Sequence, residues 1–97
     1  MKKEHNQHTL KEVLEAMIKQ YKLKDGLQEA RIKNYWKDHM GESINRYTAN
    51  IEIRKRKLYL NIISAPLKQE LTMGKEKIRQ LLNEQLGEDY ILEVIIL

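Results

Sequence analysis

The chain has 97 residues, a hydrophobic fraction of 41%, no cysteine and a formal net charge of +4. This length is typical of one domain, and the lack of cysteine excludes disulfides, thiolate zinc sites and cysteine nucleophiles. No apolar run approaches the roughly 20 residues that span a bilayer, and the polar start predicts no signal peptide. We therefore expect a cytoplasmic protein, and the pI near 9.3 favours an anionic partner.

The first predicted helix begins at Thr9, after a polar segment, residues 1–8, that we expect to be a flexible terminus. Thr9 and Glu12 have the spacing of a capping box. Residues 22–26 are predicted to break this helix. One helical face, called here the apolar stripe, is expected to lie on the core, with docking of a partner as the alternative. The apolar stripe consists of Leu10, Val13, Leu14, Met17, Ile18 and Tyr21.

A second, longer helix is predicted from about residue 27 to residue 46. We expect it to continue through Gly41, although this glycine could instead end the helix as a left-handed cap. Trp36 is the only tryptophan in the sequence and is predicted to anchor the core, with a base-stacking platform as the alternative. His39 lies on the same face and is expected to be half-buried and hydrogen-bonded rather than catalytic.

A hairpin of two strands, at about residues 48–53 and 57–63, follows the second helix. Both segments alternate apolar and polar residues, which places one apolar row on a core. Residues 54–57 form a turn of four cations, RKRK, which are expected to be solvated. They either make a soluble turn that protects a sheet edge or bind phosphate with release of counterions.

Helical spacing returns after Ser64 and Pro66, which together signal a helix start. The pattern is interrupted at residues 72–74 and resumes until Gly87, a typical C-terminal cap. It predicts either one kinked helix or two short ones.

Residues 90–97, YILEVIIL, are predicted to form the last strand. Near-continuous apolarity suits a strand that is buried on both faces, hence a central position or a parallel partner. The helical connection that precedes it is what a parallel pairing requires.

Catalytic signatures are absent from the sequence. It contains no GxSxG, HExxH, Walker or dinucleotide-binding pattern, and its four glycines are too sparse for a phosphate-cradling loop. We therefore predict that the protein is not an enzyme and that it has no cofactor, no metal site and no small-molecule substrate.

The predicted order α-α-β-β-α-α-β resembles, without its first helix, the type II KH fold. The resemblance implies an α+β domain in which a three-stranded mixed sheet is covered on one side by helices. RNA-binding KH domains carry a GxxG loop between the two helices that follow the second strand. The corresponding residues here are Gly74, Lys75, Glu76 and Lys77, so the second glycine is missing.

A more specific resemblance is to the bacterial DciA-like family of replicative-helicase accessory proteins, whose N-terminal domain is KH-like. It covers residues 9–97, which we expect to be a single KH-like domain. Longer members carry a C-terminal extension implicated in helicase contact, and this sequence resembles a short form without it. The resemblance to a short form weakens the expectation of helicase loading and leaves nucleic-acid binding open. The residues that carry the resemblance are Trp36, Met40, Gly41, Ile44, Tyr47, Thr48, Leu58, Leu60, Ile62, Ser64, Ala65, Glu70, Leu71, Leu81, Leu82, Asn83 and Gly87.

The resemblance and two basic clusters, one in the turn of residues 54–57 and one within residues 75–79, predict a nucleic-acid-binding accessory module, linked to DNA replication through the replicative helicase. Its partner would be single-stranded DNA or RNA. The alternative is a protein-interaction adaptor that docks through the first helix or a free strand edge. Both basic clusters are expected on one wall of the domain, where Glu88 and Asp89 near the turn could weaken the field. The predicted nucleic-acid-binding residues are Arg54, Lys55, Arg56, Lys57, Lys75, Lys77 and Arg79.

Overall fold

The computed structural model describes residues 9–97, so the flexible terminus predicted for residues 1–8 lies outside the described residues. The predicted α+β class and the order α-α-β-β-α-α-β are confirmed. The elements are α1 (Leu10–His39), α2 (Glu42–Tyr47), β1 (Thr48–Arg54), β2 (Lys57–Ile62), α3 (Ala65–Met73), α4 (Lys75–Leu86) and β3 (Glu93–Ile96).

The sheet has the strand order β1-β2-β3. Strands β1 and β2 are antiparallel, with Ile53 opposite Leu58, and β2 and β3 are parallel, with Leu58 beside Val94. The predicted parallel pairing is therefore confirmed. A central position for the last strand is wrong, because β2 lies at the centre and β3 at an edge.

The core lies between one face of the sheet and the helices. Its buried apolar side chains come from α1, α4, all three strands and the segment before β3. Trp36 is buried and donates a hydrogen bond from Nε1 to the Thr48 hydroxyl at 3.1 Å. The prediction of a core anchor is thus confirmed, and the base-stacking alternative is wrong because the indole is covered.

The predicted break at residues 22–26 is wrong, because α1 runs unbroken from Leu10 to His39. Its start is the predicted capping box: Glu12 N–H donates to the Thr9 hydroxyl at 3.1 Å, and Thr9 N–H donates to the Glu12 carboxylate at 2.9 Å. Gly26 within the helix costs roughly 1 kcal/mol relative to alanine. Buried residues on either side of it, Asp25 and Gln28, fix this part of the helix on the body.

The first helical break lies instead at Met40 and Gly41, so the predicted continuity through Gly41 is wrong. Gly41 has φ 90°, a conformation that glycine adopts at little cost. The Asn45 side-chain amide stabilises the bend that follows α1 by donating to the carbonyl oxygens of Lys37 and Gly41, at 3.0 and 2.9 Å. A separate six-residue helix, α2, follows.

His39, in the last turn of α1, is exposed. Its ring stacks on Tyr35, with 4.5 Å between the ring centroids. The expectation of a half-buried histidine is therefore wrong. The exposed position follows from the end of α1, because the chain turns away at Gly41 before it can cover this side of the helix.

The helical segment before the last strand consists of two helices, and Gly74 is the only residue between them. Gly87 ends α4 in the left-handed conformation, φ 78°, as predicted. Lys75 and Lys77 already belong to the first turn of α4. The chain therefore has no open loop at the place where RNA-binding KH domains carry GxxG.

Candidate functional site

The basic turn between β1 and β2 is held in an uncommon backbone conformation. Lys55 and Arg56 have φ values of 51° and 64°, which residues with a side chain rarely adopt. The backbone N–H of Lys55 donates to Asp25 Oδ2 at 2.9 Å. The Arg56 guanidinium donates to the carbonyl oxygens of Tyr90 and Asp89, at 2.9 and 2.7 Å. The Arg56 side chain therefore connects the turn to the segment that precedes β3, and it does not extend freely into solvent.

The remaining turn cations differ in their partners. Arg54 lies 3.5 Å from the Glu52 carboxylate and 4.2 Å from the centroid of the Tyr59 ring. Lys57 lies 3.9 Å from the carboxylate of Glu93 on the neighbouring strand. Lys55 is exposed, and its ammonium group forms no ion pair with another residue in the described part of the chain. Acidic neighbours therefore reduce the positive field of the turn.

The second basic cluster, at the start of α4, is also mixed in charge. Arg79 forms an ion pair with Glu76 three residues earlier, and the hydrogen bond from Arg79 holds the pKa of Glu76 below its usual range. Arg79 also donates to the carbonyl oxygen of Ile91 at 3.4 Å. Lys75 and Lys77 are exposed and, within residues 9–97, form no ion pair.

The two clusters meet only through their arginines. Arg56 and Arg79 donate to successive carbonyl oxygens, those of residues 89–91, in the loop between α4 and β3. Lys75 and Lys77 lie in the first turn of α4, about 3–6 Å before Arg79 along the helix axis. The contacts that join the two clusters at this loop are therefore those of Arg56 and Arg79.

Acidic residues lie at the turn end of the domain, as expected from the parallel strands. The Glu88 carboxylate accepts hydrogen bonds from Lys24 and from the side-chain amide of Gln28, both at 3.2 Å. Asp89 contributes its backbone carbonyl to Arg56. These contacts tie the α4–β3 loop to the middle of α1.

A buried polar contact joins α1, the turn and this loop. Asp25 is buried in the middle of α1 and accepts hydrogen bonds from the Tyr90 hydroxyl and from Lys55 N–H. Burial, and then the hydrogen bond to Asp25, raise the pKa of Tyr90 well above its usual range. One helical turn later, Glu29 accepts from Ile53 N–H at 2.8 Å. Glu29 thus occupies an amide of the edge strand β1 and Asp25 an amide of the turn just beyond it, which leaves this end of the edge closed to a further strand.

The apolar stripe, by contrast, is not on the core. Its six side chains keep between 44% (Met17) and 73% (Leu10) of their surface exposed. Since successive residues of a helix are about 100° apart, the stripe lies on the same side of α1 as four residues that are buried. These are Asp25, Gln28, Ile32 and Trp36. The expectation that the stripe lies on the core is therefore wrong, because the sheet ends at the basic turn and α1 continues beyond it.

A groove of about 660 Å³ lies where the projecting helix meets the turn. Ile18 and Tyr21 of the apolar stripe reach into it, and Ile53 of β1 lies opposite them. Lys22, Asp25, Gly26 and Glu29 of α1, together with Arg54, Lys55 and Arg56, complete the lining. Apolar stripe and groove form one continuous surface.

The described residues contain neither a cluster of metal ligands nor a membrane-spanning helix. No group of three or more His, Cys, Asp or Glu side chains within residues 9–97 is placed to hold a metal ion. Among the helices that the structure describes, none combines the length and the apolarity needed to cross a membrane.

Comparison with protein families gives one result that spans the domain. The model of the family described as DciA, the Dna[CI] antecedent, matches residues 9–96. The chain belongs to the DciA family. No curated protein and no solved structure matched the chain.

Members of the DciA family are non-enzymatic accessory proteins associated with loading of the replicative helicase in DNA replication. The resemblance that we drew from Trp36, Gly41 and the later leucines is therefore confirmed. The family assignment does not test which residues of this DciA-family chain bind a partner, and the seven cations stay a prediction.

Sequence reasoning missed Asp25, Tyr90 and the groove. A signal for Asp25 was present, since it is a carboxylate that continues the apolar phase of α1 between Tyr21 and Ile32. A charged residue at such a position predicts a buried hydrogen-bonding partner. Its partners, a tyrosine 65 residues away and a backbone amide, leave no such signal.

Proposed function

We propose that this protein is an accessory factor of the replicative helicase and that it contacts the helicase through the apolar stripe of α1. The exposure of six apolar side chains on one helical face carries the proposal. Contiguous exposed apolar surface on a soluble domain marks an interaction site. Full burial of one such side chain stabilises by about 1.5–3 kcal/mol, so a partner that covers the stripe gains substantial binding energy.

The position of the stripe on α1 supports the proposal. The same apolar face continues into residues that pack on the body, such as Ile32 and Trp36. A partner that binds the stripe would therefore continue the packing that this face of α1 already makes with the body of the domain. Membership of the DciA family supports the replicative helicase as that partner.

The test is binding to the purified replicative helicase of the same organism, after nuclease treatment. Changing Leu14→Gln together with Met17→Gln should weaken binding by roughly tenfold or more, because both side chains lie at the centre of the stripe. The fold should be retained, since neither side chain is buried.

A matched control uses two exposed leucines on the other side of the same helix, Leu23 and Leu27. Leu23→Gln with Leu27→Gln makes the same chemical change and should leave helicase binding within about twofold, the scale of a surface substitution away from the interface. Equal loss of binding in both variants, or no binding by the unchanged protein, would refute this role of the stripe.

A second candidate function is the binding of single-stranded DNA or RNA. Three of the seven predicted cations, Lys55, Lys75 and Lys77, are exposed lysines without an ion pair in the described residues, and these support the candidate. The two lysines of α4 also lie beside the free backbone N–H groups at the helix start, which favour phosphate. Arg54, Lys57 and Arg79 would have to exchange an acidic neighbour for phosphate.

Titration of single-stranded DNA and RNA at several salt concentrations tests this candidate. Affinity should fall as salt rises, and Lys75→Glu with Lys77→Glu should weaken binding and reduce the salt slope by about two. Lys11→Glu with Lys19→Glu is the control, because it changes the net charge equally outside both clusters. Absence of binding at low salt would remove this candidate and leave helicase contact unaffected.

A further inference from the structure

We infer that the partner segment seated on the apolar stripe is an amphipathic helix whose apolar face is flanked by carboxylates, and that these carboxylates meet Lys22 and Lys55. The inference rests on the proposed docking through the stripe and specifies the chemistry of the partner. It follows from the corner that α1 forms with the basic turn.

The corner forces any occupant of the stripe to meet the turn. Asp25 and Glu29 fix α1 against the amides of Lys55 and Ile53, and the helix leaves the body immediately before these contacts. The groove is accordingly lined by α1 and the turn together. A partner helix that covers Ile18 and Tyr21 must end at, or pass over, the side of the turn.

The charges that such a partner meets are positive. The two acids of the groove are engaged, since Asp25 accepts from Tyr90 and from Lys55 N–H, and Glu29 accepts from Ile53 N–H and pairs with Lys33 at 3.3 Å. Lys22 and Lys55 are exposed, and neither forms an ion pair with another described residue. The groove lining as a whole has four cations, Lys22, Arg54, Lys55 and Arg56, against the two acids, which is a formal net charge of +2.

Farther along the stripe the flank that faces the turn carries both signs. Lys11 and Lys22 are eleven residues apart, which places them within about 20° of each other around the helix, on the side that faces the turn. Glu15 lies between them in sequence, about 20° from Lys22 around the helix. The positive charge that is available to a partner is therefore concentrated at the turn. Carboxylates at that end of a partner helix would complement Lys22 and Lys55, which favours correct register and faster association.

A second copy of the chain fits this surface less well. The spacing of the stripe is symmetric about its middle, so two α1 helices could pair antiparallel with apolar side chains in contact. That pairing would place Lys11 of one copy beside Lys22 of the other, and like charges at an interface oppose association. A helix of opposite charge satisfies the same apolar surface without this repulsion.

The experiment uses two synthetic helices of about 18 residues, or about 27 Å, with one shared apolar face. One carries glutamates along both flanks of that face and the other carries lysines. With the protein as it stands, the acidic peptide should bind at least roughly fivefold more tightly than the basic one at low salt, and the difference should shrink as salt rises. Equal binding of the two peptides would overturn the inference.

Charge reversal on the protein makes the test specific. Lys22→Glu should weaken helicase binding by roughly fivefold to tenfold and favour the basic peptide. Lys19→Glu, the same change on the far side of α1, is the matched control. Lys55→Gln provides a second variant, because it removes the charge of the side chain and keeps the backbone N–H that donates to Asp25.

The outcomes separate this inference from the proposed function. Helicase binding that depends on Leu14 and Met17 but not on Lys22 overturns the acidic partner and leaves the stripe as the docking site. Absence of helicase binding by the unchanged protein, or equal loss in the variants of the stripe and of Leu23 and Leu27, refutes the docking proposal itself. A dimer in sedimentation that dissociates on changing Leu14→Gln with Met17→Gln would assign the stripe to a second copy and overturn the inference.

Discussion

The two halves of α1 share one apolar phase and have opposite surroundings. Ile32 in the second half is fully buried, whereas Leu14 in the first half is 46% exposed, although both lie on the same side of the helix. The difference arises because the sheet that covers the second half ends at the basic turn. Apolar periodicity therefore identifies the face of a helix that will be covered, but not whether the chain itself covers it.

The boundary between the halves is the polar contact at Asp25. Its bonds to Tyr90 and Lys55 fix the point at which the helix leaves the body. The two halves should accordingly respond differently to substitution, to changes in backbone freedom and to pH.

The largest expected difference is between two substitutions of the same kind. Ile32→Ala should lower the free energy of unfolding by about 2–5 kcal/mol, because it leaves a cavity in the core. Leu14→Ala should change it by no more than about 0.5 kcal/mol, as is usual for the surface. Urea denaturation of both variants measures this, and equal losses would contradict the division of α1 into two halves.

Removal of the boundary contact should come next in size. Asp25→Ala leaves the Tyr90 hydroxyl and Lys55 N–H without their acceptor and should cost about 3 kcal/mol, the scale of hydrogen bonds to a charged group. Asp25→Asn keeps one acceptor oxygen and should cost less. In a double-mutant cycle with Tyr90→Phe, additive losses would show that the two side chains do not act together.

Substitutions of two glycines test the backbone conformation within α1 and at the end of α4. A Cβ at Gly26 would meet no atom within 4 Å, so Gly26→Ala should raise the free energy of unfolding by about 0.5–1 kcal/mol through helix propensity. Gly87 has φ 78°, and Gly87→Ala should lower stability by about 1 kcal/mol. Thermal unfolding compares the two, and a destabilised Gly26→Ala protein would indicate that α1 bends at this position.

The smallest effect should be the change in the free energy of unfolding at alkaline pH. The pKa of Tyr90 is raised in the folded state, so above pH of about 10 the unfolded chain loses a proton that the folded protein keeps. Stability from this group is complete below that pH and falls as the pH rises further. Tyr90→Phe should remove this part of the slope in denaturation measured at alkaline pH, and an unchanged slope would assign it to other groups.

Local signals in the sequence determined much of the fold. The capping box at Thr9, the alternation of the hairpin and the cap at Gly87 depend on neighbouring residues, and all three are confirmed. The family resemblance was also available, because it rests on the order of apolar and small residues along the chain.

Long-range contacts decided the rest. The sequence predicts a break near Gly26 and continuity through Gly41, and both are wrong, because packing around Asp25 stabilises the first position and the entry into β1 bends the second. Likewise the seven cations are visible in the sequence, but their acidic and carbonyl partners are set by strand register and by the α4–β3 loop. Residue types thus determined the elements and their apolar faces, whereas the extent of the sheet decided which face remained free for a partner.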